Sequence, residues 1–281
     1  MNDRLARRIG AVNYLNTKPL IHRLAERAGQ IELVFDLPSR LADRLAADEL
    51  DVALIPSIEY WLAADYRVVS DACIGCRGPV LSVKLFCRRP VDKITCLALD
   101  EGSRTSAALV QILLHGRFGL RPELVSLPIG DGLEDCDADG VLLIGDRAMH
   151  SPSGSFHDVW DLGDEWCRWT GLPFVFAMWV ARPGVNTDKL ESLLAQARDQ
   201  GVAALTEIAA EQAAHFGLTR PQCLSYLRDN LHFYLGPRER QGLQRFYRRA
   251  VELGLVPDRQ QPALPKSTRT ELDEYDCHTS A

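Results

Sequence analysis

Long apolar runs are missing from this chain of 281 residues: no stretch approaches the ~20 consecutive apolar residues that a membrane-spanning helix needs. Met1 to Arg8 carry charges throughout and pass straight into a strand, so the apolar core of a secretory signal is lacking as well. Both absences lead us to expect a cytoplasmic protein with no membrane partner. Lysine is scarce, 5 residues against 27 arginines, and the arginines are spread along the whole length. With a net charge of -6 the chain offers no general attraction to phosphate backbones, which argues against nucleic acid as a partner. Cys73 and Cys76 form a lone CxxC without a second pair or an HxxxH at metal spacing, so the 8 cysteines read as reduced, buried or loop thiols. No GxSxG elbow, Walker loop, dinucleotide fingerprint or zincin motif is present either. Whatever chemistry occurs here must need little machinery.

What is present is enough apolar sequence, 46% against 25% charged residues, to exclude a disordered or fibrous chain. The length allows two lobes of roughly 100 to 150 residues each. Arg8 to Val12 reads as a strand, Pro19 to Arg27 as an amphipathic helix, Leu33 to Leu37 as a strand, and Ser39 as the N-cap of the next helix. Asp51 to Ile55, Val80 to Cys87, Ile94 to Leu99, Val141 to Ile144 and Phe174 to Ala181 are apolar enough for buried strands. The alternation predicts mostly parallel sheets covered by helices. Arg88-Arg89-Pro90 and Pro183-Gly184 punctuate the pattern. They set the expected boundaries: residues 1–90 and 184–257 in one lobe, 91–183 in the other, and 258–281 as a polar tail. Beyond Thr187 the pattern is helical, with a break at Gly201 and a capping box at Thr219 and Gln222.

Several polar residues fall where strands give way to helices. Asn13, Asn16 and Thr17 follow the first strand and could present amides, a hydroxyl and backbone N–H groups to a cleft; they serve equally well as turn and cap residues. Ser103-Arg104-Thr105-Ser106 follows a strand and opens a helix, where free N–H groups and the helix dipole favour a carboxylate or phosphate. An ordinary capped helix with a solvated arginine is the competing reading. Ser57 and Ser82 lie beside strands, and Asp146, after Gly145, could cap a helix or bind a substrate hydroxyl. Trp166 and Trp169, next to Thr170 and Gly171, have the density of core aromatics. The seven histidines lie outside these segments; the nearest, His150 and His157, read as loop residues.

Taken in order, Tyr14-Leu15-Asn16, Ala53-Leu54-Ile55-Pro56-Ser57, Gly78-Pro79-Val80-Leu81-Ser82, Ser103-Arg104-Thr105-Ser106 and Thr170-Gly171-Leu172-Pro173-Phe174 resemble the chorismate dehydratases of the futalosine route to menaquinone. The resemblance implies a two-lobed α/β fold of the type II periplasmic-binding-protein kind with a central cleft. It also implies loss of water from chorismate without a cofactor or metal, giving 3-[(1-carboxyvinyl)oxy]benzoate. Asn16 and Ser82 would then orient the reacting side. Asn13, Thr17, Ser57, Ser103, Thr105, Ser106, Gly145, Asp146, Thr170 and Gly171 would bind the substrate, Arg104 would support its turn, and a substrate carboxylate would act as base. The related dihydroxynaphthoate synthase of the same route and a non-catalytic solute-binding protein are the alternatives. No oligomeric state follows from these residues.

Overall fold

The computed structural model describes residues 4–5, 8–27, 31–63, 65–150, 155–259 and 264–265. In chain order the first lobe opens with the short β1 (Arg4–Leu5), then β2 (Arg8–Ala11), a 3-10 stretch Leu15–Ile21, α1 (Leu24–Arg27) and β3 (Glu32–Phe35). It continues through α2 (Pro38–Ala46), β4 (Val52–Pro56), α3 (Glu59–Leu62) and β5 (Arg67–Cys76). The chain then crosses to a second sheet with β6 (Val83–Cys87), β7 (Cys96–Asp100), α4 (Arg104–Phe118), β8 (Glu123–Leu127), β9 (Gly140–Ile144), α5 (Asp146–Met149) and β10 (Asp158–Asp161). Helix α6 (Leu162–Thr170) leads back to β11 (Phe174–Ala181) and the short β12 (Val185–Asn186). The last elements are α7 (Asp188–Ala203), α8 (Leu205–Gln212), α9 (Arg220–Ser225), β13 (His232–Tyr234) and α10 (Pro237–Glu252). None of the described helices is long and apolar enough to cross a membrane.

The larger sheet runs β13-β5-β11-β4-β2-β3 and the smaller β10-β6-β9-β7-β8. Each has a parallel block, β3-β2-β4 or β8-β7-β9, extended by antiparallel strands where the chain crosses between lobes. The sheets are thus more mixed than the mostly parallel ones expected. Strands β4, β9 and β11 are buried along their whole length, as continuous apolar runs covered on both faces should be.

Sheet membership corrects the expected boundaries. β6 pairs in the smaller sheet and β11 in the larger, so the chain crosses at residues 77–82 and returns through 162–173, not near 90 and 184. Pro90 ends a strand that already lies in the second lobe. The true crossing carries Gly78-Pro79 and Leu81, whose φ of 61° lies in the left-handed region. One side chain holds both crossings together: the Asp161 carboxylate accepts from the N–H groups of Val80 (2.9 Å) and Leu81 (2.6 Å) and, at the start of α6, from Gly163 and Asp164. Most of the expected 258–281 tail lies outside the described residues.

Other local expectations shift for identifiable reasons. Helix α2 starts at Pro38, where a fixed φ suits the first helical position, so Ser39 sits buried inside the helix instead of capping it. Gly201 does not break α7; it lets the helix lie against the 3-10 stretch, because a Cβ there would collide with the Pro19 carbonyl. The capping box at Thr219 and Gln222 is present, with both reciprocal hydrogen bonds formed. Cys73 and Cys76 lie buried within β5, and burial pushes the Cys73 thiol well up. Helix α7 is pinned to β5 by a buried ion pair, Arg198 Nη1 to Asp71 Oδ1 at 3.0 Å.

Candidate functional site

The carboxyl ends of the parallel strands of both sheets face one another, the usual place for a ligand in open α/β sheets. Between them lies a cleft. Its walls are largely apolar, formed by Val12, Pro38, Pro56, Ile74, Val80, Val83, Ile144 and Phe176. Polar groups enter at Tyr14, Asn16, Ser82, Ser103, Thr105 and Ser106. None of these lining side chains is a carboxylate, imidazole or ammonium group. The cleft therefore offers neutral donors to an anion and no strong protein base.

Ser103 caps α4: its Oγ accepts from the Ser106 N–H at 3.3 Å. The first turn of this 15-residue helix thus points its remaining N–H groups and the positive end of its dipole at the cleft. Thr105 has a double function. Its Oγ1 lines the cleft and also accepts the N–H of Ile58 from the other lobe at 3.2 Å. Ser57 stands behind it, fully buried, donating to the Val175 carbonyl at 2.8 Å and lying 3.4 Å from Thr105 Oγ1. Ser57 is thus a supporting hydroxyl outside the cleft lining, because the β4–β11 pairing holds it below the surface.

Arg104 does more than support its own turn. Its guanidinium crosses to the first lobe, donating to Glu59 Oε1 at 3.0 Å and Asp43 Oδ1 at 2.7 Å. Burial pushes the Glu59 carboxyl up, and the arginine opposes that shift.

Asn16 and Ser82 reach the cleft from different elements, one from the 3-10 stretch after β2 and the other from the crossing. Buried Thr17 does not line it; its hydroxyl donates to Asn16 Oδ1 at 3.2 Å and so orients the amide. Asn13 is exposed and accepts from Lys18 Nζ at 2.7 Å, outside the lining. Gly145 lines the cleft at φ 68°, while Asp146 turns its carboxylate to the lobe boundary, within reach of the Leu15 N–H. Burial pushes that carboxyl up to about 6, opposed by the Leu15 N–H, His150 and Lys18.

Thr170 and Gly171 are placed away from the cleft lining. Thr170 Oγ1 donates to the Trp166 carbonyl at 2.8 Å and Gly171 is the left-handed residue that ends α6, so the pair is a helix stop. The strand that follows contributes Phe176 and Ala177 instead. Trp166 is core, packed edge-on against Phe174 and Phe246. His150 and His157 are exposed and do not line the cleft.

Two tyrosines have no role in the expectations from sequence. Tyr14 lines the cleft beside Gly102 and Gly145; burial, then Asp100 and Asp146, push its phenol up to about 12. Tyr226 comes from the turn after α9, buried, with its hydroxyl within hydrogen-bonding reach of Ser82 and Asn16. The sequence signal was available: a tyrosine within the apolar stripe of Leu224, Leu227 and Leu231 needs a partner for its hydroxyl.

Two mixed sheets, two crossings and a cleft of neutral donors define a two-lobed protein of the type II periplasmic-binding-protein class. Solved structures agree in fold. A protein of Archaeoglobus fulgidus superposes with a TM-score of 0.71 at 17% identity, covering 89% of this chain and 98% of its own. The periplasmic aliphatic sulphonate-binding protein of Escherichia coli does so with 0.63 at 17%, covering 96% of each. Residues 7–252 match the model of a family described as menaquinone biosynthesis, and the chain belongs to that family. A chorismate dehydratase of Thermus thermophilus is 32% identical over 88% of this chain and 95% of its own length. One from Campylobacter jejuni is 29% identical over 60% of this chain and 64% of its own.

Proposed function

We propose that this protein is a chorismate dehydratase, a hydro-lyase of the futalosine route acting in the cytoplasm. The observation that carries the reading is a cleft built from neutral donors with no protein base in its lining, in a chain of this family. Chorismate suits such a site. Removal of the proton from ring carbon 3 and the hydroxyl from carbon 4 releases one water and leaves an aromatic ring, 3-[(1-carboxyvinyl)oxy]benzoate. Aromatisation supplies the driving force, so positioning and electrostatic preorganisation are what the protein must add.

Ser103, Ser106 and the first turn of α4 hold one substrate carboxylate. Asn16 and Ser82 orient the reacting ring. The other substrate carboxylate takes the ring proton. Closure of the lobes through Arg104 and Thr105 keeps bulk water out while this happens. Incubating the purified protein with chorismate and following the mass of the product tests the reading; chorismate that is bound and returned unchanged would make this a solute-binding protein.

A further inference from the structure

We infer that Tyr226 is a positioning residue for the reaction, one that holds the Asn16 amide and the Ser82 hydroxyl in their working orientations. The inference rests on the dehydratase reading and adds a group from a part of the chain that shares none of the motifs.

Three observations support it. Tyr226 is 1% exposed, and its hydroxyl lies within hydrogen-bonding reach of both the Asn16 and the Ser82 side chains. It sits in a π-helical turn, Tyr226–Asn230, inserted after α9, an irregularity often found at functional sites. It also lines a second, open pocket together with Leu81, Met149 and Leu218.

A donor and acceptor inventory gives the arrangement. Asn16 Oδ1 already accepts from Thr17, and the amide N–H₂ has two protons to give. The Ser82 hydroxyl donates to the Val80 carbonyl at 3.4 Å, which leaves its lone pairs as acceptors. The phenol has one proton to give and lone pairs to receive. In the inferred arrangement it donates to Ser82 and accepts one N–H of Asn16, and the second N–H of Asn16 is left for the substrate. Burial pushes the phenol far up, so it stays neutral and acts as a fixed bridge, not as a base.

The test is Tyr226→Phe, which removes one hydroxyl and keeps the ring. Steady-state kinetics on chorismate should show kcat lower by about 10- to 100-fold, the scale of a small misplacement, with KM changed less than threefold and the melting temperature close to wild type. Combined with Asn16→Ala, the second substitution should add little, because the phenol acts through that amide. An unchanged kcat, full additivity, or a loss that follows unfolding of the variant would overturn the inference while leaving the dehydratase reading intact. A wild-type protein that does not turn over chorismate would instead overturn that reading, and this inference with it.

Discussion

The ring of Tyr14, carried by the first lobe, lies over Gly145 of the second: a Cβ built on Gly145 would stand 3.1 Å from Tyr14 Cζ. With φ at 68° the glycine also occupies a backbone region closed to most side chains. Gly145→Ala should therefore cost about 1 to 3 kcal/mol of stability and weaken chorismate binding, because lobe contact is lost together with backbone fit. Denaturant unfolding and calorimetry measure the two effects. Unchanged values in both would show that Tyr14 and Gly145 do not restrain one another.

Asn16→Ala is expected to act on turnover. The amide lines the cleft and is braced by Thr17, so it is held for a contact that strengthens in the transition state. Loss of such a donor lowers kcat by about 100-fold. A variant that folds and shows only a raised KM would make Asn16 a binding residue.

Ser103 separates capping from binding. Replacing an N-cap serine by alanine costs about 1 kcal/mol of stability, whereas glycine costs a few tenths. Both replacements remove the hydroxyl from the proposed anion site, so chorismate affinity should fall about 10-fold or more in each. Equal affinity in wild type and Ser103→Gly would remove this hydroxyl from the binding site.

Arg104→Gln should raise KM about fivefold with little change in kcat. The guanidinium bridges the lobes to Asp43 and Glu59 but does not line the cleft. Its partners are unequal: Asp43 is exposed and contributes little, while Glu59 is buried and left without its cation. Kinetics at low and high salt measure the effect; an unaltered KM at both would exclude a closing role.

Asp146 gives the pH dependence. Burial raises its carboxyl from 3.8 to about 6 in the folded protein, so between those values the folded state binds the proton more readily than the unfolded chain. Its contribution to stability is complete below about pH 4 and is lost as the pH rises through about 6. Asp146→Asn, which stays uncharged, should melt a few degrees above wild type near neutrality, and the difference should shrink in acid. Melting curves across this range check the sign.

The parts of the fold readable from sequence were those whose signal is local. β4, β9 and β11 are apolar throughout, and the Ser103 cap and the Thr219 box carry their own partners within three residues. β5 escaped because Ser70 and Asp71 interrupt its apolar pattern. Asp71 is buried and paired with Arg198 on α7, a partner that no local window contains. The crossing was placed at Pro90 for a similar reason: what fixes it is the distant Asp161 holding Val80 and Leu81.

At the site, the motifs brought Asn16, Ser82, Ser103, Thr105, Ser106 and Gly145 into one cleft. They also named Thr170 and Gly171, which lie away from the cleft lining and form a helix stop. Tyr226 was hidden in what reads as an ordinary apolar helix stripe.

The neighbouring strands β5 and β11 are separated in sequence by the whole of the second lobe. The smaller sheet draws all its strands from one unbroken segment, residues 83–161, and each of its pairings closes a loop within that segment. On a growing polypeptide the smaller sheet has all its strands before the larger can insert β11 between β5 and β4. The larger sheet gains β13 only after Tyr226 has been added. Vectorial synthesis therefore delivers the cleft in a fixed order, with the residue behind Asn16 and Ser82 among the last to arrive.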